Sequence, residues 1–134
     1  MQQVDVMAGP GRDMRGNREP TIKVAVILPI AMVNALNSFR HSRAREIDNF
    51  SHALRIIIQE GINEIEDEKA PESALIRNEI PNGSGKRKEF TLPVEIHEKI
   101  DTYRINNSKH VEGFGEALRH VVFVGCKKKG VVLW

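Results

Sequence analysis

Hydrogen-bonding side chains alternate with apolar ones in two short segments of the 134-residue chain, residues 21–28 and 87–92. Because successive side chains of a strand point to opposite faces, each segment has one outward set and one inward, mostly apolar set. The outward set consists of Lys23, Ala25, Ile27, Arg87, Glu89 and Thr91. Ammonium, guanidinium and hydroxyl groups donate hydrogen bonds and a carboxylate accepts them. We therefore predict that this face binds a partner through hydrogen bonds.

The two segments open the copies of an internal repeat with an offset of 64 residues. Residues 24–61 align with residues 88–125 without a gap, and eight of the 38 positions are identical. The identities are Leu28/Leu92, Pro29/Pro93, Arg40/Arg104, Phe50/Phe114, Ala53/Ala117, Leu54/Leu118, Arg55/Arg119 and Gly61/Gly125. Most other apolar positions keep their character, so the shared register favours a true repeat over chance.

Each copy predicts a strand followed by two helices. The strand ends at Pro29 or Pro93, because proline cannot donate a ladder hydrogen bond and suits the first turn of a helix. Apolar residues then recur at helical spacing. In copy one they are Met32, Val33, Leu36 and Phe39, then Ile47, Phe50, Leu54, Ile57 and Ile58. The valine-rich run 121–124 favours a strand on its own, but the repeat register predicts a helix there.

These patterns divide the chain into a mobile N-terminal arm (1–20), copy one (21–61), an acidic linker (62–85), copy two (86–126) and a basic, apolar tail (127–134). A single strand leaves its backbone groups unpaired, so each copy is half of a domain. Antiparallel pairing of the two strands predicts a mainly helical fold with a two-stranded ribbon. In this pseudo-twofold unit we expect Phe50 and Phe114 to approach the shared axis and bury together.

Charge and cysteine content narrow the class of protein. The net charge of +2 divides into +2 for residues 21–61, −4 for 62–85 and +4 for 86–134. A single cysteine, Cys126, excludes an internal disulfide, and the chain opens without an apolar signal segment, so we expect a cytoplasmic protein. The histidines lack metal-ligand spacing and no set of catalytic residues is evident. We therefore expect neither an enzyme nor a bound metal or cofactor.

A short strand ending in Leu-Pro, an amphipathic helix and a second helix with an acidic residue five positions before Ala-Leu resemble the ribbon-helix-helix fold of the MetJ/Arc superfamily. The acidic residues are Asp48, before Ala53-Leu54, and Glu112, before Ala117-Leu118. Most members of that superfamily carry one copy and dimerise. Two copies in one chain are similar to the tandem TraY-type accessory proteins of conjugative plasmids, which implies that one polypeptide supplies both strands.

The resemblance implies that the outward set reads bases in the major groove of double-stranded DNA, which admits a two-stranded ribbon. Its basic members can donate to guanine, its hydroxyl can bond a base edge, its carboxylate can accept from cytosine N4, and its apolar members can contact thymine methyl groups. A solvated strand face is the alternative for Lys23 and Arg87, and burial in a larger core is the alternative for Ile27. The two strands differ at every outward position, so the recognised site is asymmetric.

The superfamily also clamps a DNA phosphate at the start of the second helix, with backbone N–H groups and a nearby polar side chain. The matching positions here are Arg43, Arg45, Ser108 and Lys109. Ser108 stands one residue from the usual hydroxyl position, and copy one has no serine or threonine there. Solvent-exposed loop charges are therefore the alternative.

The resemblance thus implies a sequence-specific DNA-binding protein of a plasmid or phage locus. It would be a conjugation (relaxosome) accessory protein, a transcriptional repressor, or both. Its partners would be double-stranded DNA, further copies of itself on DNA, and a relaxase or other transfer proteins. We do not expect it to bind a membrane. The alternative is an antitoxin-like interaction module that binds its own operator and masks a partner with the segment Cys126–Trp134. Against that alternative, Trp134 can fold back onto its own core.

Overall fold

The computed structural model describes residues 20–81 and 84–134, so the expected N-terminal arm (1–20) lies outside the described residues except for Pro20. Within those ranges the elements are β1 (Thr21–Pro29), α1 (Ile30–Ser42), α2 (Phe50–Glu66), α3 (Ser73–Glu79), β2 (Gly85–Pro93), α4 (Val94–Asn106) and α5 (Phe114–Lys129). Helices make up more than half of these residues, which confirms the mainly helical fold class. Among them, none combines the length and apolar character needed to span a membrane.

β1 and β2 pair antiparallel in one two-stranded ribbon, as the alternating pattern predicts. Its inward, buried residues are Val24, Val26, Leu28, Phe90 and Leu92. The register places Ala25 opposite Glu89, two residues that are 64 positions apart. They are the middle residues of the two nine-residue strands, and their separation equals the offset of the sequence repeat.

Two backbone hydrogen bonds at the strand ends also match under the 64-residue offset, because both their donors and their acceptors are 64 positions apart. The strands end at prolines that stand at the N-caps of α1 and α4. The N–H of Ile30, first in α1, donates to the carbonyl oxygen of Ser84 (3.3 Å), and the N–H of Val94, first in α4, donates to that of Pro20 (3.1 Å). Each junction is therefore tied to the residue that precedes the opposite strand.

Two glycines let the backbones of α2 and α5 touch where these helices cross. A Cβ added to Gly125 would lie 2.0 Å from the carbonyl oxygen of Ile57, and one added to Gly61 would lie 2.1 Å from that of Val121. Ile57 and Val121 are themselves repeat partners, so the two contacts are reciprocal. In an interior packed at crystal-like density, no larger residue fits either position unless the helices separate.

The expectation that Phe50 and Phe114 bury together at the shared axis is wrong. Each is only partly buried and is the first residue of its helix. The Nζ atom of Lys88 lies 4.5 Å from the centre of the Phe50 ring, and Phe114 stacks on His97 with ring centres 4.4 Å apart. Helical periodicity identifies a buried face but not the height at which two helices cross. Here the crossing lies about three turns further along, at the glycines.

The acidic linker (62–85) begins with the last turn of α2, as its helical extension predicts, and contains a further helix that was not expected. α3 places Ile76 against Phe123 and Val124 of α5, and together they form a second, smaller apolar cluster. Seven residues are too short for a clear periodic signal, and a helix of this length forms only when it packs on something else. α3 therefore depends on the apolar surface of α5.

Helix α5 covers the valine-rich run 121–124, which confirms the prediction of a helix there. It continues through Lys129, so the tail expected from residue 127 starts only after this helix. Lysines in a last turn are favoured by the negative end of the helix dipole, and Gly130 ends the helix in the left-handed conformation (φ 70°). β2 likewise begins at Gly85, one residue before the expected boundary of copy two.

Candidate nucleic-acid interface

The open face of the ribbon, formed by the outward set, is exposed at all six positions. Lys23 lies opposite Thr91, Ala25 opposite Glu89, and Ile27 opposite Arg87. Ile27 is 59% exposed, which excludes its burial in a larger core. The structure therefore gathers the residues predicted to read bases into three cross-strand pairs on one surface. A carboxylate stands at its centre and a basic side chain to either side.

Glu89 connects the two basic groups of the open face. Its carboxylate forms an ion pair with the guanidinium of Arg87 on the same strand. It forms a second pair with the ammonium group of Lys23 across the ribbon, where Nζ and Oε1 are 3.5 Å apart. Arg87 first, and then Lys23, lowers the pKa of Glu89. At neutral pH this face thus carries a charged, internally paired triad.

Two further lysines make one end of the ribbon more basic than the other. Lys86 is exposed at the start of β2, and Lys88 lies over the ring of Phe50. Their repeat partners in β1 are the apolar Ile22 and Val24. The outward set does not include these lysines, because they occupy the positions of β2 that alternate with it. The run of three basic residues that opens β2 is the signal that could have identified this end.

The loop before α2 carries two of the predicted phosphate contacts, Arg43 and Arg45, and both are exposed. Arg43 makes a loose surface pair with Glu46, with Nη1 and Oε1 4.0 Å apart, and its guanidinium lies 5.6 Å from the centre of the Phe39 ring. Asn49 caps the helix, since its side-chain oxygen accepts a hydrogen bond from the backbone N–H of His52 (2.9 Å). The first turn holds no acidic residue. A helix start of this kind beside arginines favours an anion.

The matching loop before α5 holds the other two predicted contacts, Ser108 and Lys109, which are also exposed. Gly113 stands at the N-cap, so Ser108 does not cap this helix. The carboxylate of Glu116 instead accepts a hydrogen bond from the backbone N–H of Glu112 (2.9 Å). Both carboxylates pair with the guanidinium of Arg77 in α3, at 3.9 Å and 3.7 Å, so an ion-pair network already occupies this helix start. The two loops are therefore not equivalent.

Arg119 joins α5 to the ribbon. Its Nη1 donates a hydrogen bond to the carbonyl oxygen of Ile27 (3.0 Å), near the end of β1. Arg119 is absent from the predicted site residues, although its identity with Arg55 in the repeat is a signal that could have found it. The contact holds the more basic end of the ribbon against the start of α5.

A cavity of about 390 Å³ lies between that end of the ribbon, the linker and α5. Fully buried His120 lies at its wall, with Nδ1 3.0 Å from the hydroxyl oxygen of Tyr103. Burial lowers the pKa of His120 to about 4 and raises the pKa of Tyr103 to about 12, so the pair is neutral at pH 7. Within the described residues no group hydrogen-bonds to Nε2, and a carboxylate oxygen of Glu116 lies 3.8 Å away.

The described part of the chain holds no group of three histidine, cysteine or acidic side chains placed to bind a metal ion. Its two-stranded antiparallel ribbon, with helices after each strand, is compatible with a ribbon-helix-helix-like fold. Comparison with models of protein families, with curated proteins and with solved structures finds no match to the chain.

Proposed function

We propose that the chain is a tandem ribbon-helix-helix protein of the MetJ/Arc superfamily, similar to TraY-type proteins, which binds double-stranded DNA through its open face. The element starts support the tandem arrangement, because 21/85, 30/94 and 50/114 all differ by 64. The reciprocal contacts of Gly61 and Gly125 support it as well. Each half then corresponds to one subunit of a dimeric member of that superfamily.

One observation carries the proposed function: two paired strands expose a row of hydrogen-bonding groups while their other face is buried on helices. Neighbouring strands lie about 4.8 Å apart, and the major groove of B-DNA is about 12 Å wide, so a ribbon with its side chains enters it. Arg87 and Lys23 then face guanine N7 and O6, and Thr91 faces a base edge. The three pairs differ from one another, which matches an asymmetric DNA site.

The stronger phosphate contact is assigned to the loop before α2. Arg43 and Arg45 stand there beside a helix start without an acidic residue in its first turn. The start of α5, after Lys109, instead holds Glu116 in its first turn, where the carboxylate is paired with Arg77. Phosphate contacts position a protein on the duplex without reading its sequence. The protein is therefore anchored more firmly on the side of copy one.

A protein that reads an asymmetric site suits a plasmid or phage locus, as a conjugation accessory at a transfer origin, a repressor of its own operon, or both. The antitoxin-like alternative requires a C-terminal segment that masks a partner. Trp134 contacts its own chain instead, because its indole N–H donates to the carbonyl oxygen of Glu79 (2.8 Å) and its ring lies 6.0 Å from that of Phe123. This self-contact favours DNA binding as the main function.

Selection of binding sites from a pool of random duplexes, followed by fluorescence anisotropy on the enriched site, tests the proposal. We expect Arg87→Ala and Lys23→Ala each to weaken binding to that site by about 1 to 3 kcal/mol and to relax base preference at separate positions. Helicity measured by circular dichroism should not change, because the outward side chains are exposed.

Lys69→Ala is the matched control, since it removes one exposed positive charge from the linker. It should leave the base preference unchanged and lower the affinity only slightly. Equal losses on enriched and random DNA for the two ribbon variants would show that these side chains contact only phosphates. If the wild-type protein enriches no sequence, the proposed function is wrong.

A further inference from the structure

Glu89 stands at the centre of the open face. The register pairs it with Ala25, its own repeat partner, so the pseudo-twofold axis passes beside it. From this position its carboxylate contacts both Arg87 and Lys23. One strand thus places a methyl group at the axis and the other a carboxylate. The centre of an otherwise symmetric backbone is chemically one-sided.

Glu89 competes with DNA for these two cations. The three side chains of the triad are 43% to 74% exposed, and exposed ion pairs are weak enough to exchange for other acceptors. Guanine N7 and O6 and the phosphates are such acceptors. The exchange leaves the carboxylate in a groove lined by phosphates, where it is unfavourable unless a donor meets it.

Each base pair presents one amino donor in the major groove, so the base beside Glu89 offers a donor only when it is the cytosine or adenine of its pair. In the major groove, cytosine N4 and adenine N6 are amino groups that donate, whereas guanine and thymine present acceptors. A base of the first kind beside Glu89 satisfies its carboxylate after the cations have left. A base of the second kind leaves the carboxylate unpaired, and the cations then return to it.

We propose that Glu89 is a further specificity-determining residue of the ribbon, besides Arg87 and Lys23. It keeps Lys23 and Arg87 paired within the protein on unrelated DNA, and releases them where the exocyclic amino group of cytosine or adenine meets its carboxylate. This inference rests on the proposed DNA-binding function. Glu89 then acts mainly by weakening binding to wrong sequences, which is one of the two ways in which a protein gains specificity.

Glu89→Gln and Glu89→Ala test the inference against the wild-type protein. Both variants remove the competing charge, so affinity for random duplex DNA should rise about tenfold and become more salt-dependent as the freed cations reach phosphates. Site selection with the wild type should enrich cytosine or adenine at the central position. Glu89→Ala should lose that preference at the central position alone, and the ratio of specific to random affinity should fall.

Glu98→Gln is the matched control, because this exposed residue of α4 gives the same change in net charge outside the open face. Its specificity ratio should equal that of the wild type. An unchanged ratio and central preference in Glu89→Ala, while Arg87→Ala still loses specificity, would overturn the inference and leave the DNA-binding function standing. If the wild type selects no site, both fail. Glu89→Gln keeps the side-chain shape, so circular dichroism on it separates a loss of fold from a change in specificity.

Discussion

The two halves of the molecule contain a strand and two helices in the same order and differ in their surface chemistry. Residues 21–66 and 85–129 each form a strand of nine residues, a helix of 13 and a helix of 17 or 16. Identical residues remain where backbone meets backbone, at Gly61 and Gly125, and where the strands end in Leu-Pro. The outward positions of the ribbon differ throughout. The halves are thus alike where they touch each other and different on the exposed surface.

The outer faces of the second helices show how far this specialisation goes. α5 carries Phe123 and Val124, which are buried beside Ile76 of α3. The matching positions of α2 are Gln59 and Glu60, which are exposed and half-buried. An apolar pair on one copy alone requires a cover, and the linker helix provides it. The linker is therefore part of the core of the second half.

The largest effect is expected at the contact that the halves share. Gly125→Ala places a Cβ 2.0 Å from the carbonyl oxygen of Ile57, so α2 and α5 must separate. We expect the free energy of unfolding to fall by about 3 kcal/mol or more. Gly61→Ala should lose a similar amount because its contact is the reciprocal one. Urea unfolding followed by circular dichroism measures both losses.

Gly115→Ala provides the control for these variants. This glycine also lies in α5, but its added Cβ would meet only the guanidinium of Arg119, at 3.5 Å. Alanine is the better helix former by about 1 kcal/mol, so this variant should be as stable as the wild type or more stable. Equal stability of the variants at 115 and 125 would contradict the close helix crossing. Unequal losses at Gly61 and Gly125 would contradict its twofold character.

The next effect distinguishes the buried residues of the two halves by their response to pH. Tyr103 and His120 occupy the positions that Phe39 and Ile56 hold in the first half. Burial, the largest cause, lowers the pKa of His120 from 6.5 to about 4. Between these values the unfolded chain binds a proton that the folded chain excludes. The contribution to stability is therefore full above pH 6.5 and falls on acidification, by about 2 kcal/mol between pH 6.5 and pH 5.

A double variant, Tyr103→Phe with His120→Ile, introduces the apolar pair of the first half and tests this difference. It should lose the part of the acid sensitivity that comes from the histidine and keep the part that comes from carboxylates. Urea midpoints measured from about pH 5 to about pH 7.5 compare the two proteins. If the two pH profiles run parallel, the pKa of His120 is the same in the folded and unfolded chain. The buried pair would then not make the two halves respond differently to pH.

The sequence predicts the strands and the longer helices of this fold, but not α3, because their signals are local and extend over enough residues. Alternation over eight residues indicates a strand, and apolar residues at helical spacing indicate the first and second helices of each copy. The repeat adds information that local propensity lacks. It predicts a helix over the valine-rich run 121–124, where propensity alone favours a strand, because copy one places better helix formers at those positions.

The features that could not be predicted depend on contacts between elements. The helices α2 and α5 cross at Gly61 because this residue has no Cβ to keep the two backbones apart. Helical periodicity carries no information about the position of that crossing. The pairing of Glu89 with both cations depends on strand register and on rotamers. The sequence identifies the charged residues near the starts of α2 and α5. It does not predict that the two starts differ, because the carboxylate of Glu116 accepts a hydrogen bond from the backbone N–H of Glu112 only in the folded chain.

The smallest expected effect compares these helix starts directly. Asn49 and Gly113 share an extended backbone (φ −158° and −154°), but Asn49 alone of the two provides a side-chain acceptor. A Cβ added to Gly113 meets no atom within 4 Å. Gly113→Asn should therefore gain roughly 0.3 kcal/mol, and Asn49→Gly should lose as much. Scanning calorimetry should show shifts of about 1 to 2 °C in opposite directions, with Asn49→Asp, which keeps the acceptor, close to the wild type. A loss in both variants would mean that the Glu116 carboxylate already satisfies the start of α5, so that an added cap only displaces it.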